Sequence, residues 1–171
     1  MTTQDLVFKW FCYALGVVPV WAAETLFLNR HPLFGVIPVL LPLAAVAAAL
    51  WEGARAGAVF GLCLGIVADA VYPGIPGEMT LLLCLIGWLT GAISQYGVRQ
   101  TYPGYLFCAT AAMGLLEVVR VLWAIFSQLG PLPAILLTAG KEALWSLCFT
   151  PLIYPLFKLI YRKVGGQQLG G

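Results

Sequence analysis

The chain has 171 residues, of which 61% are hydrophobic and 9% are charged, and its mean hydropathy is +0.94. A soluble domain carries about a quarter charged residues, so this composition cannot cover a water-exposed surface of this size. It argues against a cytosolic enzyme, a nucleic-acid-binding module and a secreted disulfide scaffold, and it predicts a domain whose solvent is mostly lipid.

Six apolar stretches are long enough to cross a bilayer, for which a helix needs about 20 residues. The sequence therefore predicts an all-α, polytopic integral membrane protein, with one domain over residues 1–164 and a flexible Gly-rich tail over 165–171. The predicted spans run over residues 6–28, 33–50, 54–72, 79–96, 104–129 and 132–160. The second stretch contains Pro38 and Pro42, so its boundary with the third is the weakest, and a re-entrant hairpin is the alternative there.

The distribution of Lys and Arg predicts the orientation, because cytoplasmic loops carry an excess of these residues. With six spans, both termini lie on one side of the membrane. That side collects six cations, and the other collects only Arg30 among residues outside the spans. We therefore expect both termini in the cytoplasm, on the side of Lys9, Arg55, Arg99, Lys158, Arg162 and Lys163.

The third span carries a row of glycines at spacing four. Residues four apart share a helix face, and rows of small residues let membrane helices approach closely. The row predicts either packing against the next span or a docking groove for another protein's helix. It consists of Gly53, Gly57, Gly61 and Gly65 and is continued by Asp69, and the next span adds Gly87 and Gly91.

Six charged residues fall inside the predicted spans, where each costs about 2.5–3.5 kcal/mol unless it is paired or hydrated. All six lie in the outer half of the bundle, so we expect an internal ion-pair network with a Glu117–Arg120 pair at spacing three. A structural core, a partner-contact site and a small-molecule or ion site are the alternatives. The six residues are Glu24, Asp69, Glu117, Arg120, Lys141 and Glu142.

The last span adds a polar row at spacing four, which must face another helix or a wet cavity. Pro151 and Pro155 are expected to bend its cytoplasmic end. The row consists of Thr138, Glu142, Ser146, Thr150 and Tyr154.

Nothing in the sequence indicates catalysis, a metal or a cofactor. The five cysteines are widely spaced and His31 is the single histidine, whereas a zinc site needs clustered thiolate or imidazole ligands. We expect a non-enzymatic protein without a cofactor.

The central part of the chain resembles the signature of the rod-shape-determining protein MreD family. The resemblance rests on Gly61-x-x-x-Gly65-x-x-x-Asp69, on the Pro-Gly turn that ends at Gly77, and on the following apolar helix with Gly87 and Gly91. The closing segment Leu152–Phe157 and the basic end after it are also similar to that family.

The resemblance implies a membrane subunit of the bacterial elongation machinery in the cytoplasmic membrane. Members of the family work with the scaffold MreC, the MreB filament, and RodA with its class B penicillin-binding protein, which build lateral peptidoglycan. The resemblance also implies a fold similar to the S components of energy-coupling-factor transporters. A vitamin- or solute-binding transport subunit, holding its solute between the outer helix ends, is therefore the alternative function.

Overall fold

A computed structural model describes residues 3–28, 38–71, 77–96, 101–127 and 131–165, and within these ranges every regular element is helical. The first helix, α1, continues as a short π-helix over Ala23–Leu28. The α-helices are α1 (Thr3–Ala22), α2 (Leu41–Glu52), α3 (Ala54–Val71), α4 (Glu78–Tyr96), α5 (Tyr102–Phe126), α6 (Leu132–Leu147) and α7 (Thr150–Gly165).

Four helical segments are long and apolar enough to cross a membrane, and the bent pair of α6 and α7 makes a fifth if it is one span. The all-helical, membrane-embedded class predicted from the sequence agrees with this architecture. The number of six spans is not confirmed. The four segments are Val7–Leu26, Ala54–Val71, Glu78–Gln95 and Tyr102–Phe126.

Large apolar side chains cover the outside of the bundle. Leu81 on α4 is 75% exposed and Phe126 on α5 is 83% exposed, and every other long helix also has an exposed apolar face. A water-soluble protein does not present apolar surface on this scale. The exterior is therefore suited to lipid.

Helix α2 forms the centre of the bundle. All ten residues from Leu41 to Leu50 are buried, and the helix packs against α1, α3, α4, α5 and α7. A helix that is apolar all round belongs in a core. Its 12 residues extend roughly 18 Å at about 1.5 Å per residue, short of a hydrocarbon core of about 30 Å. The sequence predicts one long span over residues 33–50, but the part from Leu41 onward is a short core helix. Residues 33–37 lie outside the described residues.

The predicted last span is two helices joined at a bend of 45°. Helix α6 ends at Leu147 and α7 begins at Thr150, with Pro151 in the first turn of α7. A proline fits the first turn of a helix but disfavours helical geometry in the residue before it. The predicted bend is therefore present, and it falls ahead of both prolines.

An aromatic cluster ties α1, α3 and α7 together beside the end of α2. The ring of Tyr13 lies 5.9 Å from that of Phe60 and 6.1 Å from that of Phe157. The Tyr13 hydroxyl donates a 2.8 Å hydrogen bond to Glu52, which also forms an ion pair with Lys9. Gly165, predicted as the first residue of the flexible tail, belongs to α7, and residues 166–171 lie outside the described part of the chain.

Candidate functional site

The glycine row of α3 lies directly on the backbone of α4. A methyl group at Gly61 would stand 2.1 Å from the carbonyl oxygen of Leu83, and one at Gly65 would stand 2.3 Å from Cα of Thr80. Gly57 and Gly87 face each other, since a methyl group on either would meet the carbonyl oxygen of the other within 2.5 Å. The sequence predicts either packing against the next span or a docking groove for another protein's helix. The contacts that the structure shows for this row are with α4, and so are packing within the chain.

The ends of the row have separate roles. Gly53 connects α2 to α3 with a backbone φ of +86°, a conformation that residues with a side chain rarely adopt. Gly91 lies against this junction, where a methyl group would stand 2.4 Å from the Gly53 carbonyl carbon. The small residues therefore run the whole length of the α3–α4 contact.

Asp69 closes the far end of the α3–α4 contact as a helix cap. Its carboxylate accepts the backbone N–H of Met79 at 3.0 Å and that of Thr80 at 3.1 Å, together with the Thr80 hydroxyl. The first N–H groups of a helix have no partner within the helix. Gly77 accepts the first intrahelical bond of α4, from Leu81, but has no side chain to cap the helix, and Asp69 supplies the missing oxygens.

The start of α2 is capped in the same way, by side chains from two other elements. Glu24 is 2% exposed, and its carboxyl group accepts the backbone N–H groups of Leu40 and Leu41. Ser146 on α6 is fully buried and accepts the N–H of Val39 at 3.0 Å. These contacts hold the core helix against α1 and α6.

An ion-pair group connects α5 to α6. Arg120 on α5 forms a close charged hydrogen bond with Glu142 on α6. Its Nη1 also lies 3.9 Å from Oε1 of Glu117, the predicted partner at spacing three. We call these three residues the charged triad.

The triad lines a groove between α5 and α6. The groove has a volume of about 350 Å³. Thr138 adds a hydroxyl to its lining, and the remaining walls are apolar. Oε1 of Glu117 is buried and has no hydrogen-bond partner within the described residues. The groove therefore combines an apolar wall with a few convergent polar groups, as small-molecule sites do.

The structure brings together fewer of the six predicted charges than expected. The triad is connected, and Glu24 interacts electrostatically with Glu142 and Arg120. Asp69 lies outside this group because it caps α4. Lys141 also lies outside it, since it is exposed and absent from the groove lining. Lys141 and Glu142 follow each other on α6, so their side chains point in different directions.

The predicted polar row becomes buried only from Ser146 onward, within α6 and ahead of the bend. Ser146, Thr150 and Tyr154 are buried, and Thr138 is exposed and donates a hydrogen bond to the carbonyl of Ala134.

The sequence does not predict a role for Thr80. Only its position at the start of a helix marks it as a residue whose backbone N–H needs a cap. Within the described residues, no group of three His, Cys, Asp or Glu side chains is placed to hold a metal ion.

These features define an all-helical, membrane-embedded protein with several candidate spans and a charged groove at the side of its bundle. Comparison with protein-family models, curated proteins and solved structures finds no match for the chain.

Proposed function

We propose that the protein is an MreD-like, non-enzymatic scaffold subunit of the bacterial elongation machinery. In this role it couples MreC and MreB to lateral peptidoglycan synthesis by RodA and its class B penicillin-binding protein, and so maintains rod shape. One observation carries the proposal: three residues of the motif behind the resemblance, Gly61, Gly65 and Asp69, lie in one continuous contact between α3 and α4.

The position of these residues fits a scaffold better than an enzyme. The glycines are buried against backbone, and Asp69 uses both carboxylate oxygens to cap α4. None of these groups is placed to act on a substrate. Their effect is to bring α3 and α4 into close contact, which leaves the opposite faces of these two helices, with Val59 and Leu81 exposed, for lipid or for a partner's helix.

The proposal includes a finer topology. The chain crosses the membrane six times, as in an S-component-like fold, if the segment that contains the short helix α2 counts as one crossing, and both termini lie in the cytoplasm of a bacterial cell. The exposed cations Arg55, Lys158, Arg162 and Lys163 support this orientation. Single cysteines, introduced near residues 3 and 164 after replacement of the five native cysteines by alanine, are labelled with a membrane-impermeant maleimide. Labelling in intact spheroplasts at either position would contradict this orientation.

Co-purification with MreC from the native host tests the scaffold role. We expect wild-type protein to retain MreC and Gly61→Leu to lose it, because the larger side chain separates α3 from α4. Gly114→Leu is the matched control, since Gly114 on α5 is exposed and has open space around it. Failure of the wild type to retain MreC would count against the proposal.

The groove supports a second candidate function, the solute-binding subunit of a transporter. Its volume of about 350 Å³ lies at the lower end of ligand-pocket sizes. A thermal-shift screen of the purified protein against water-soluble vitamins tests this candidate. A stabilising vitamin whose effect is lost in Arg120→Ala but kept in Asp69→Ala would favour transport, because only Arg120 of the two lines the groove.

A further inference from the structure

The inner end of the α5–α6 groove holds an acceptor without a donor. The side chain of Glu117 is 12% exposed, and its Oε1 is buried without a hydrogen-bond partner within the described residues. The nearest cationic nitrogen, Nη1 of Arg120, is 3.9 Å away, beyond hydrogen-bonding distance. A buried acceptor left in this state is costly unless something donates to it.

Arg120 is already engaged by the other carboxylate of the triad. Its Nη1 makes the close charged hydrogen bond with Glu142, so the triad has two carboxylates for one guanidinium. Lys141 does not restore the balance, because its side chain is exposed and does not line the groove. The triad thus has one more carboxyl group than it has guanidinium groups, and Glu117 is the one without a close cationic partner.

The rest of the groove limits what can supply that donor. Its walls are small or branched apolar residues, and its volume is about 350 Å³. A ligand must therefore be compact, with one cationic, hydrogen-bond-donating end and a less polar remainder. The apolar walls are Val121, Ala124, Pro131, Ala134, Ile135 and Ala139.

We propose that this groove binds a primary ammonium group, with the carboxylate of Glu117, which lines the groove and is partly exposed, accepting one of its N–H bonds. The inference rests on the groove of the second candidate function and is independent of the scaffold role. Two sources carry this chemistry: the headgroup of phosphatidylethanolamine, and a free water-soluble amine. Charge alone would not distinguish an ammonium from its trimethylated analogue, but the trimethylated form has no N–H to donate.

Lipid retention tests the first source. The full chain is purified after exchange into nanodiscs that contain equal amounts of phosphatidylethanolamine and phosphatidylcholine, and the bound lipids are read by native mass spectrometry. We expect about a tenfold preference for phosphatidylethanolamine, the ratio that about 1.4 kcal/mol of hydrogen bonding to a charged group produces. Glu117→Leu, which removes the acceptor oxygens, should abolish the preference, and Lys141→Gln, which removes a charge outside the groove, should keep it.

Thermal shift tests the second source. Wild-type protein in phosphatidylcholine nanodiscs is titrated with ethanolamine and, separately, with choline. Stabilisation by ethanolamine and not by choline, lost in Glu117→Leu, supports the proposal with a soluble amine as ligand. A lipid preference lost in Glu117→Leu supports it with the lipid as ligand.

The proposal is overturned if neither arm distinguishes the primary from the quaternary amine, or if Glu117→Leu binds as wild type does. Far-ultraviolet circular dichroism of each variant shows that loss of binding is not loss of fold. Retention of MreC is measured separately and does not involve this ligand, so failure here leaves the scaffold proposal standing, and failure of the scaffold proposal leaves the ammonium site standing.

Discussion

Asp69 near the end of α3 accepts the backbone N–H of Met79 at the start of α4, at 3.0 Å. The cap of one helix is therefore supplied by another helix. The relative position of α3 and α4 therefore depends on this carboxylate as well as on the glycines.

Replacement of Asp69 by alanine is expected to destabilise the protein by roughly 0.5–2 kcal/mol, the usual cost of a lost N-cap. Asp69→Asn keeps one side-chain oxygen as an acceptor and should lose less. Reversible unfolding in mixed micelles, followed by circular dichroism, measures both variants. Equal stability of Asp69→Ala and wild type would show that the cap contributes nothing.

Replacement of Gly61 by alanine is expected to cost about 1–3 kcal/mol, because the added methyl group forces the α4 backbone away. It would stand 2.1 Å from the Leu83 carbonyl oxygen. Gly114→Ala meets nothing within 4 Å and should be neutral or gain up to about 1 kcal/mol from helix propensity. The same unfolding assay compares the two, and an equal effect of both substitutions would contradict the close α3–α4 contact.

Arg120 and Glu142 are expected to be energetically coupled. Arg120→Met alone leaves two carboxylates without their cation and should cost on the order of 2–3 kcal/mol. The double variant Arg120→Met with Glu142→Met should cost less than the sum of the single ones, with a coupling of about 0.5–3 kcal/mol. A double-mutant cycle measures this, with Lys141→Met as an exposed-charge control, and strict additivity would mean that the pair does not form.

Ser146→Ala is expected to cost about 1–3 kcal/mol, because the buried N–H of Val39 loses its acceptor. Ser94→Ala is a matched control. Both serines bond to a carbonyl of their own helix, Ser146 to Glu142 and Ser94 to Gly91, but Ser146 also anchors the start of α2. Thermal unfolding of the two variants should separate these contributions, and equal losses would rule out the anchoring role.

The sequence predicts the long helices well, because hydropathy and Gly or Pro breaks are local signals. The predicted span over 54–72 differs by one residue from α3, Ala54–Val71, and that over 79–96 by one residue from α4, Glu78–Tyr96. It does not predict α2 as a core helix. An apolar run has the same composition whether lipid or protein surrounds it, and the burial of Leu41 to Leu50 depends on the helices around them.

The candidate site is predictable only in its residue types. Intramembrane charges point to a polar cluster, and spacing three predicts the Glu117–Arg120 contact. The partners of Asp69 and Glu142 depend on which helices become neighbours, and spacing along the chain does not contain that information. A polar residue in an apolar span therefore indicates that a partner exists without naming it.

The central claim is the role in rod-cell elongation, and depletion of the protein in its native host tests it most directly. Cell width and the position of new wall are followed with a fluorescent D-amino acid, in cells complemented by wild type, Gly61→Leu or Gly114→Leu. We predict that depleted cells widen and lose lateral wall incorporation, and that wild type and Gly114→Leu restore both whereas Gly61→Leu does not. Rods of normal width with unchanged lateral incorporation after depletion would contradict the claim.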